Sequence, residues 1–184
     1  LPASLGMTGF IDQIAAWERL PQSLKERIEG LHVVYAVDMD FSRQIFAHDG
    51  NLRCQRMDRS GLAIARRMWT YPRVVHPMVF VQAETGRKVL NVSPGFAQGI
   101  HELGGPDGDA LLREVIAHCT DPDAAYFHDW REGDMVLWDN WRTLHCAAGV
   151  DLDDTRVMAR TTIAGDYALG RQLGKDGPVV DFDV

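Results

Sequence analysis

The chain has 184 residues, 46% of them hydrophobic and 24% charged, with 19 Lys and Arg against 26 Asp and Glu for a formal net charge of −7. That balance suits one folded domain with a sizeable core and excludes a disordered chain. The acidic excess argues against a phosphate-backbone binder, and no apolar run reaches the roughly 18 residues of a helical membrane span.

In chain order, Phe10, Ile14 and Trp17 recur at helical spacing and predict a short helix over 11–20. Pro21 is placed to start a second helix that buries Leu24 and Ile28 and stops at Gly30. Residues 31–37 switch to a β-rich run. Residues 38–72 are polar and arginine-rich, with Asp49-Gly50 and Ser60-Gly61 as turn signals, and read as a long loop of the lid or binding type. Strands are predicted over 74–82 and 88–92, joined by a Glu84-Thr85-Gly86 turn. Asp109 is placed to cap a helix whose Leu111, Leu112, Val115, Ile116 and Cys119 share one face, and Asp121-Pro122 ends it. Further strands are predicted over 125–130, 135–138 and 156–163, with a turn at Glu132-Gly133. Short strands with inserted helices, and no Gly-rich strand-to-helix turn, point to a mainly β sandwich or jelly roll rather than alternating βαβ units.

Three cysteines, Cys54, Cys119 and Cys146, are too few and too widely spaced for a disulfide framework or a Cys-based zinc site. The odd count sets the expectation of a reducing compartment, with the cytoplasm as the default. The chain opens on Leu1 rather than Met, and residues 1–6 read like the middle of a domain.

The chemistry concentrates near the end. If 156–163 alternates as a strand, Arg156, Met158, Arg160 and Thr162 share one face. The two arginines then lie about 13 Å apart, too far to clamp one small carboxylate. They hold two separate anionic groups, or they face solvent. His145 lies eleven residues before Arg156. A lone histidine is most often structural, yet a histidine beside an inward arginine strand is also how a jelly-roll metal site is built.

The stretch Trp130-Arg131-Glu132-Gly133-Asp134-Met135-Val136-Leu137-Trp138-Asp139-Asn140, with His145 five residues on, resembles the taurine dioxygenase (TauD/TfdA-like) family of Fe(II)/2-oxoglutarate-dependent dioxygenases. Arg156-Val157-Met158-Ala159-Arg160 through Gly165-Asp166 is similar to that family's last strand, and His76-Pro77, Thr85-Gly86, Asn91 and Gly95-Phe96 to its middle section. Thr8 and the helix pair ending at Glu29-Gly30 match the segment after its first metal ligands, so the resemblance runs from about Leu1 to Asp166. It implies a double-stranded β-helix (cupin-like jelly roll). It implies that His145 is the distal histidine of a two-His, one-carboxylate Fe(II) site, and that Thr8 and Arg156 bind the far carboxylate of 2-oxoglutarate. Arg160 stands where the family grips an anionic substrate group, with Phe96 and Asn91 lining the substrate pocket. The implied reaction uses O2, Fe(II) and 2-oxoglutarate to hydroxylate, and in some cases cleave, a small anionic organic substrate, yielding succinate and CO2. Taurine, alkyl sulfates, aryloxyalkanoates and amino-acid derivatives all suit that description.

The sequence departs from the pattern in one respect that matters. The seven histidines, His32, His48, His76, His101, His118, His128 and His145, include none followed two residues later by Asp or Glu. The expected His-x-Asp or His-x-Glu pair falls before Leu1, so 1–184 is expected to be the C-terminal portion of a single jelly-roll domain. A halogenase, with Gly or Ala in place of the carboxylate, stays open. Trp141 also stands directly after Trp138-Asp139-Asn140, where the family commonly has Arg; here Arg142 comes next. The rival reading is a non-catalytic jelly-roll module that binds a small dianion or a protein partner. A second copy of the chain is an open partner; nucleic acid and membrane are not expected. His76, His128, Trp130, Trp138, Asp134, Asp139 and Cys146 read as structural residues.

Overall fold

The computed structural model describes residues 5–37, 44–47, 71–151, 153–154 and 156–174. Its centre is β1 (Thr8–Asp12), the middle strand of a three-stranded antiparallel sheet between β7 (Tyr126–His128) and β8 (Thr143–Ala147). A second sheet runs β6 (Ala97–Ile100), β2 (His32–Tyr35), β3 (Val74–Pro77), β9 (Arg171–Gln172), and β4 (Val79–Val81) pairs with β5 (Lys88–Leu90) as a hairpin. Among the described residues every strand pairing is antiparallel, which accords with a mainly β fold rather than one built on βαβ units.

Helix α1 (Gln13–Arg19) follows β1 directly. The predicted helix over 11–20 therefore begins two residues late: Phe10 keeps its helical spacing to Ile14 but belongs to the strand. Asp12 makes the change of structure, because its carboxylate accepts from the backbone N–H groups of Ile14 (2.9 Å) and Ala15 (3.4 Å) and so caps the helix. Helix α2 (Gln22–Ile28) starts after Pro21 as predicted and buries Leu24 and Ile28. Helix α3 (Gly105–Cys119) starts four residues before the predicted cap Asp109, with Gly104 extended ahead of it and Pro106 in its first turn, where a missing N–H costs nothing.

The main core lies between these helices and the sheets. Leu24, Ile28, Val33, Met78, Leu90, Leu112, Val115 and Cys119 are fully buried within it. At roughly 1.5–3 kcal/mol for each large side chain withdrawn from water, this cluster dominates the folding energy. A smaller cluster packs Ile14, Phe80 and Val89 beneath Trp141, Tyr167 and Leu169. Tyr167 also accepts from the N–H of Ala83 (2.8 Å) and donates to Glu84 (2.6 Å), pinning its own segment to the β4–β5 turn.

Several predicted strands differ. The run over 74–82 is broken at Met78, whose N–H turns to the Leu31 carbonyl (2.8 Å), giving β3 and β4. Residues 135–138 and 156–163 form no strand. Their alternating sequence supplies propensity, but a strand also needs a neighbour to take its backbone hydrogen bonds, and none stands beside them among the described residues. Met135 (93%), Leu137 (83%), Val157 (83%) and Ile163 (78%) are correspondingly exposed. Of the predicted loop over 38–72, residues 38–43 and 48–70, and with them the arginines from Arg53 to Arg67, lie outside the described residues.

Asp12 also forms an ion pair with Arg142, whose Nε donates to Oδ1 at 3.0 Å. Arg142, and then the N–H of Ile14, hold the Asp12 carboxyl below its usual range against the opposing effect of burial. A depressed carboxylate confers stability that is present above its unfolded value and lost as pH falls through the folded one, so this contribution fades below about pH 4. Asp12→Ala should cost about 1 kcal/mol through the lost cap, and Asp12→Asn less, because Asn caps nearly as well. Urea midpoints at neutral pH and near pH 3 test this: both variants should lose less stability than the parent over that interval.

Candidate functional site

The site is built on one face of the β1-centred sheet. Opposite residues of an antiparallel ladder share a face, and alternate residues along a strand return to it. Phe10 pairs with Tyr126 of β7 and His145 of β8, and Thr8 pairs with His128 and Ala147. Thr8, Phe10, His128 and His145 therefore lie on a common face. The Cβ direction at Gly9 is on the other face, where an added Cβ would lie 2.8 Å from the Phe127 ring, so any other residue there would make that ring shift.

His145 sits mid-strand in β8. Its ring stacks against Phe10 (centroids 6.3 Å, planes at 27°) and meets Trp138 at 5.1 Å, and Phe10 meets Trp138 edge-on at 5.3 Å. Burial in this aromatic corner, and then the positive charge of Arg160, push the imidazole below its usual value. The neutral form, the one that ligates metals, is thereby favoured at neutral pH.

Thr8 is buried, and its hydroxyl oxygen accepts from the Arg156 guanidinium (Nη2, 3.0 Å) and from the Trp130 indole (Nε1, 2.9 Å). Arg156 has no carboxylate partner among the described residues, and its Nε is buried with nothing to receive its proton. An orphaned N–H of this kind costs on the order of 1–3 kcal/mol. Arg156 Nε and the Thr8 hydroxyl together make a fitting receptor for a carboxylate.

The structure thus gathers Thr8, His145, Arg156 and Arg160 into one region. Arg160 is exposed, close enough to His145 to oppose its protonation. Asn91 and Phe96 belong to a different part of the fold. The Asn91 amide donates to the Pro77 carbonyl (2.9 Å), and Phe96 is a left-handed residue (φ 65°) in the turn before β6 whose carbonyl accepts from Ala36. No hydrogen bond or ring contact among the described residues links either to His145. Nor do those residues hold a cluster of three His, Cys, Asp or Glu able to bind a metal ion, so His145 is a single candidate ligand here.

The residues read as structural have structural partners. Both His128 nitrogens are engaged, with the Tyr126 hydroxyl and with Asp134 (each 3.2 Å). Asp139 accepts from the N–H of Trp141 (2.9 Å) and from the Gln82 amide (3.1 Å). His76 packs edge-on to Tyr35 at 5.8 Å. Cys146 is exposed, on the face opposite His145. Sequence reasoning missed Phe10 as a wall of the site and Trp130 as a hydrogen-bond donor within it. The even spacing of Thr8 and Phe10 carries the first signal, once β1 is recognised as a strand.

Residues 1–162 match the family model described as taurine catabolism dioxygenase TauD, TfdA family. The chain is 34% identical over 171 residues to an (S)-phenoxypropionate/alpha-ketoglutarate-dioxygenase of Sphingobium herbicidovorans, covering 91% of this chain and 55% of that protein. It is 33% identical over 168 residues to an alpha-ketoglutarate-dependent 2,4-dichlorophenoxyacetate dioxygenase of a Burkholderia species, covering 90% and 50%. The chain therefore spans about half the length of the curated relatives it matches. Its fold is similar to that of AAD-2, solved in complex with Mn(II) and N-oxalylglycine (TM-score 0.65, 24% identity, 98% of this chain and 62% of that one). That likeness carries the jelly-roll fold.

Because Arg160 adds to burial in holding His145 neutral, Arg160→Met should raise the His145 pKa without restoring the ordinary value, burial being the larger effect. Titration of the imidazole by NMR in metal-free protein checks both the direction and the remainder.

Proposed function

The chain belongs to the taurine catabolism dioxygenase TauD, TfdA family, and from that premise we propose that it forms the 2-oxoglutarate and substrate-anion subsites of an Fe(II)/2-oxoglutarate-dependent dioxygenase. The observation that carries the reading is Arg156: a guanidinium with no carboxylate partner among the described residues, its Nη2 on Thr8 and its Nε buried without an acceptor. The far carboxylate of 2-oxoglutarate would meet Nε and the Thr8 hydroxyl together, a charge-assisted arrangement worth more than a neutral one.

Among the described residues, His145 is the one that would hold Fe(II). When bound, iron and 2-oxoglutarate supply O2-dependent C–H hydroxylation, with succinate and CO2 as co-products. The chain's own part is positional. Phe10 and Trp138 fix the imidazole plane and exclude water beside it, and the Arg160 charge favours the neutral ring. Arg160 would also hold the anionic group of the substrate. Arg156 and Arg160 then take one anion each, so co-substrate and substrate carboxylates do not compete.

The substrate class best supported is a small organic carboxylate of the aryloxyalkanoate kind, the chemistry named for the two relatives above. Hydroxylation at the carbon bearing the ether oxygen would leave a hemiacetal or hemiketal, whose C–O bond to the aryloxy group breaks without further catalysis to release the phenol and the corresponding 2-oxo acid. Asn91 and Phe96 are retained as pocket residues only under this reading, since no contact ties them to His145.

The test is succinate release in the presence of Fe(II), 2-oxoglutarate and aryloxyalkanoates. Arg156→Met should raise the apparent KM for 2-oxoglutarate by about 10- to 100-fold, and Arg160→Ala should do the same for the substrate while sparing 2-oxoglutarate. An Arg160→Ala protein with unchanged substrate KM would remove Arg160 from the reading. Absence of succinate from the parent protein, with 2-oxoglutarate still bound, would favour a non-catalytic dianion-binding module.

A further inference from the structure

Trp130 stands outside the roles assigned so far. Its indole N–H is directed neither to solvent nor to a backbone carbonyl but to the Thr8 hydroxyl oxygen, 2.9 Å away and 122 residues earlier in the chain. The ring is half-buried and stands edge-on to His128 at 4.6 Å, with planes at 87°. His128 is itself fixed through both nitrogens, to Tyr126 and Asp134, and lies directly opposite Thr8 across the β1–β7 ladder. The indole is therefore held from behind by a residue registered to the very threonine it contacts.

A threonine hydroxyl has one proton to give and two lone pairs to offer. In Thr8 both lone pairs are engaged, one by Arg156 Nη2 at 3.0 Å and one by Trp130 Nε1. With both taken, the hydroxyl can act towards a third group only as a donor, and its proton is confined to the remaining tetrahedral direction. Without Trp130 the free lone pair would let the hydroxyl rotate about its bond and accept as well as donate.

We propose that Trp130 is a positioning residue for the dicarboxylate co-substrate: by occupying the second lone pair of Thr8 it makes that hydroxyl an obligate, oriented donor beside Arg156. The site then presents only donors, the Thr8 O–H and the Arg156 Nε–H, to whatever enters. It selects a carboxylate and rejects the matching amide, whose NH2 would face those donors with no acceptor to meet it. This inference rests on the 2-oxoglutarate reading above and deepens it.

The test is a double-mutant cycle read by binding rather than turnover, with 2-oxoglutarate titrated calorimetrically, under anaerobic conditions, into the Mn(II)-loaded protein. Trp130→Phe keeps an aromatic ring and removes the N–H; Thr8→Val removes the hydroxyl; Thr8→Ser keeps it. Trp130→Phe should weaken binding about fivefold and Thr8→Val about tenfold, and the double variant should be no weaker than Thr8→Val alone. Thr8→Ser should retain near-parental affinity. The Trp130 indole N–H resonance should move upfield in Thr8→Val and return in Thr8→Ser, a signature that a ring acting by packing alone would not give. Fully multiplicative losses, or an unchanged affinity in Trp130→Phe, would overturn the positioning role and leave the 2-oxoglutarate site standing. A parent protein that binds no 2-oxoglutarate would overturn both.

Discussion

Everything at the candidate site depends on β1 being flanked on both sides. Five residues of β1 set the depth of Thr8 and Phe10, and the two ladders bring β7 and β8 to them in fixed register. A one-residue slip in either pairing would turn Phe10 and Thr8 to the opposite face and separate His145 from its aromatic corner. The β1–α1 junction guards against that slip. Asp12 ends the strand, caps the helix and binds Arg142 at the base of β8, so one carboxylate ties the strand's end to its neighbour.

The second constraint is electrostatic. The chain carries an acidic excess, yet Arg156 and Arg160 sit near His145 without carboxylate partners among the described residues. Among the described residues Arg27 pairs with Glu114, Arg87 with Glu18, Lys88 with Glu29 and Arg142 with Asp12. What sets Arg156 apart is its buried, unsatisfied Nε–H, a cost that an exposed cation without a partner does not carry. Under the proposed function an incoming carboxylate supplies that missing partner.

Much of the fold was legible where local signals were strong. Pro21 and Gly30 bracket α2 closely, and the apolar face of α3 is the one read from Leu111 to Cys119. What escaped was set by partners distant in sequence. The last two residues of β1, Ile11 and Asp12, fall inside the predicted helix, because Phe10 fits both a period of 3.6 and the strand. β8 has too little alternation in Thr143–Ala147 to announce itself and owes its form to β1. Residues 156–163 show the converse, a strand-like pattern without a neighbour to pair with. At the site, His145, Arg156 and Arg160 stand out as ligating and charged side chains in an apolar setting, whereas Thr8, an ordinary polar residue, is picked out only by the family resemblance. Trp130 was not legible, because an indole looks like core until its N–H is seen to reach across 122 residues to a hydroxyl.

The measurement that bears most directly on this account is an anaerobic titration of the protein with Fe(II) and 2-oxoglutarate, following the weak visible charge-transfer absorption of an iron-chelated keto acid. A saturable band is expected in the parent protein and is lost in Arg156→Met at the same 2-oxoglutarate concentration. A folded parent protein that develops no band, or a band indifferent to Arg156, would contradict it.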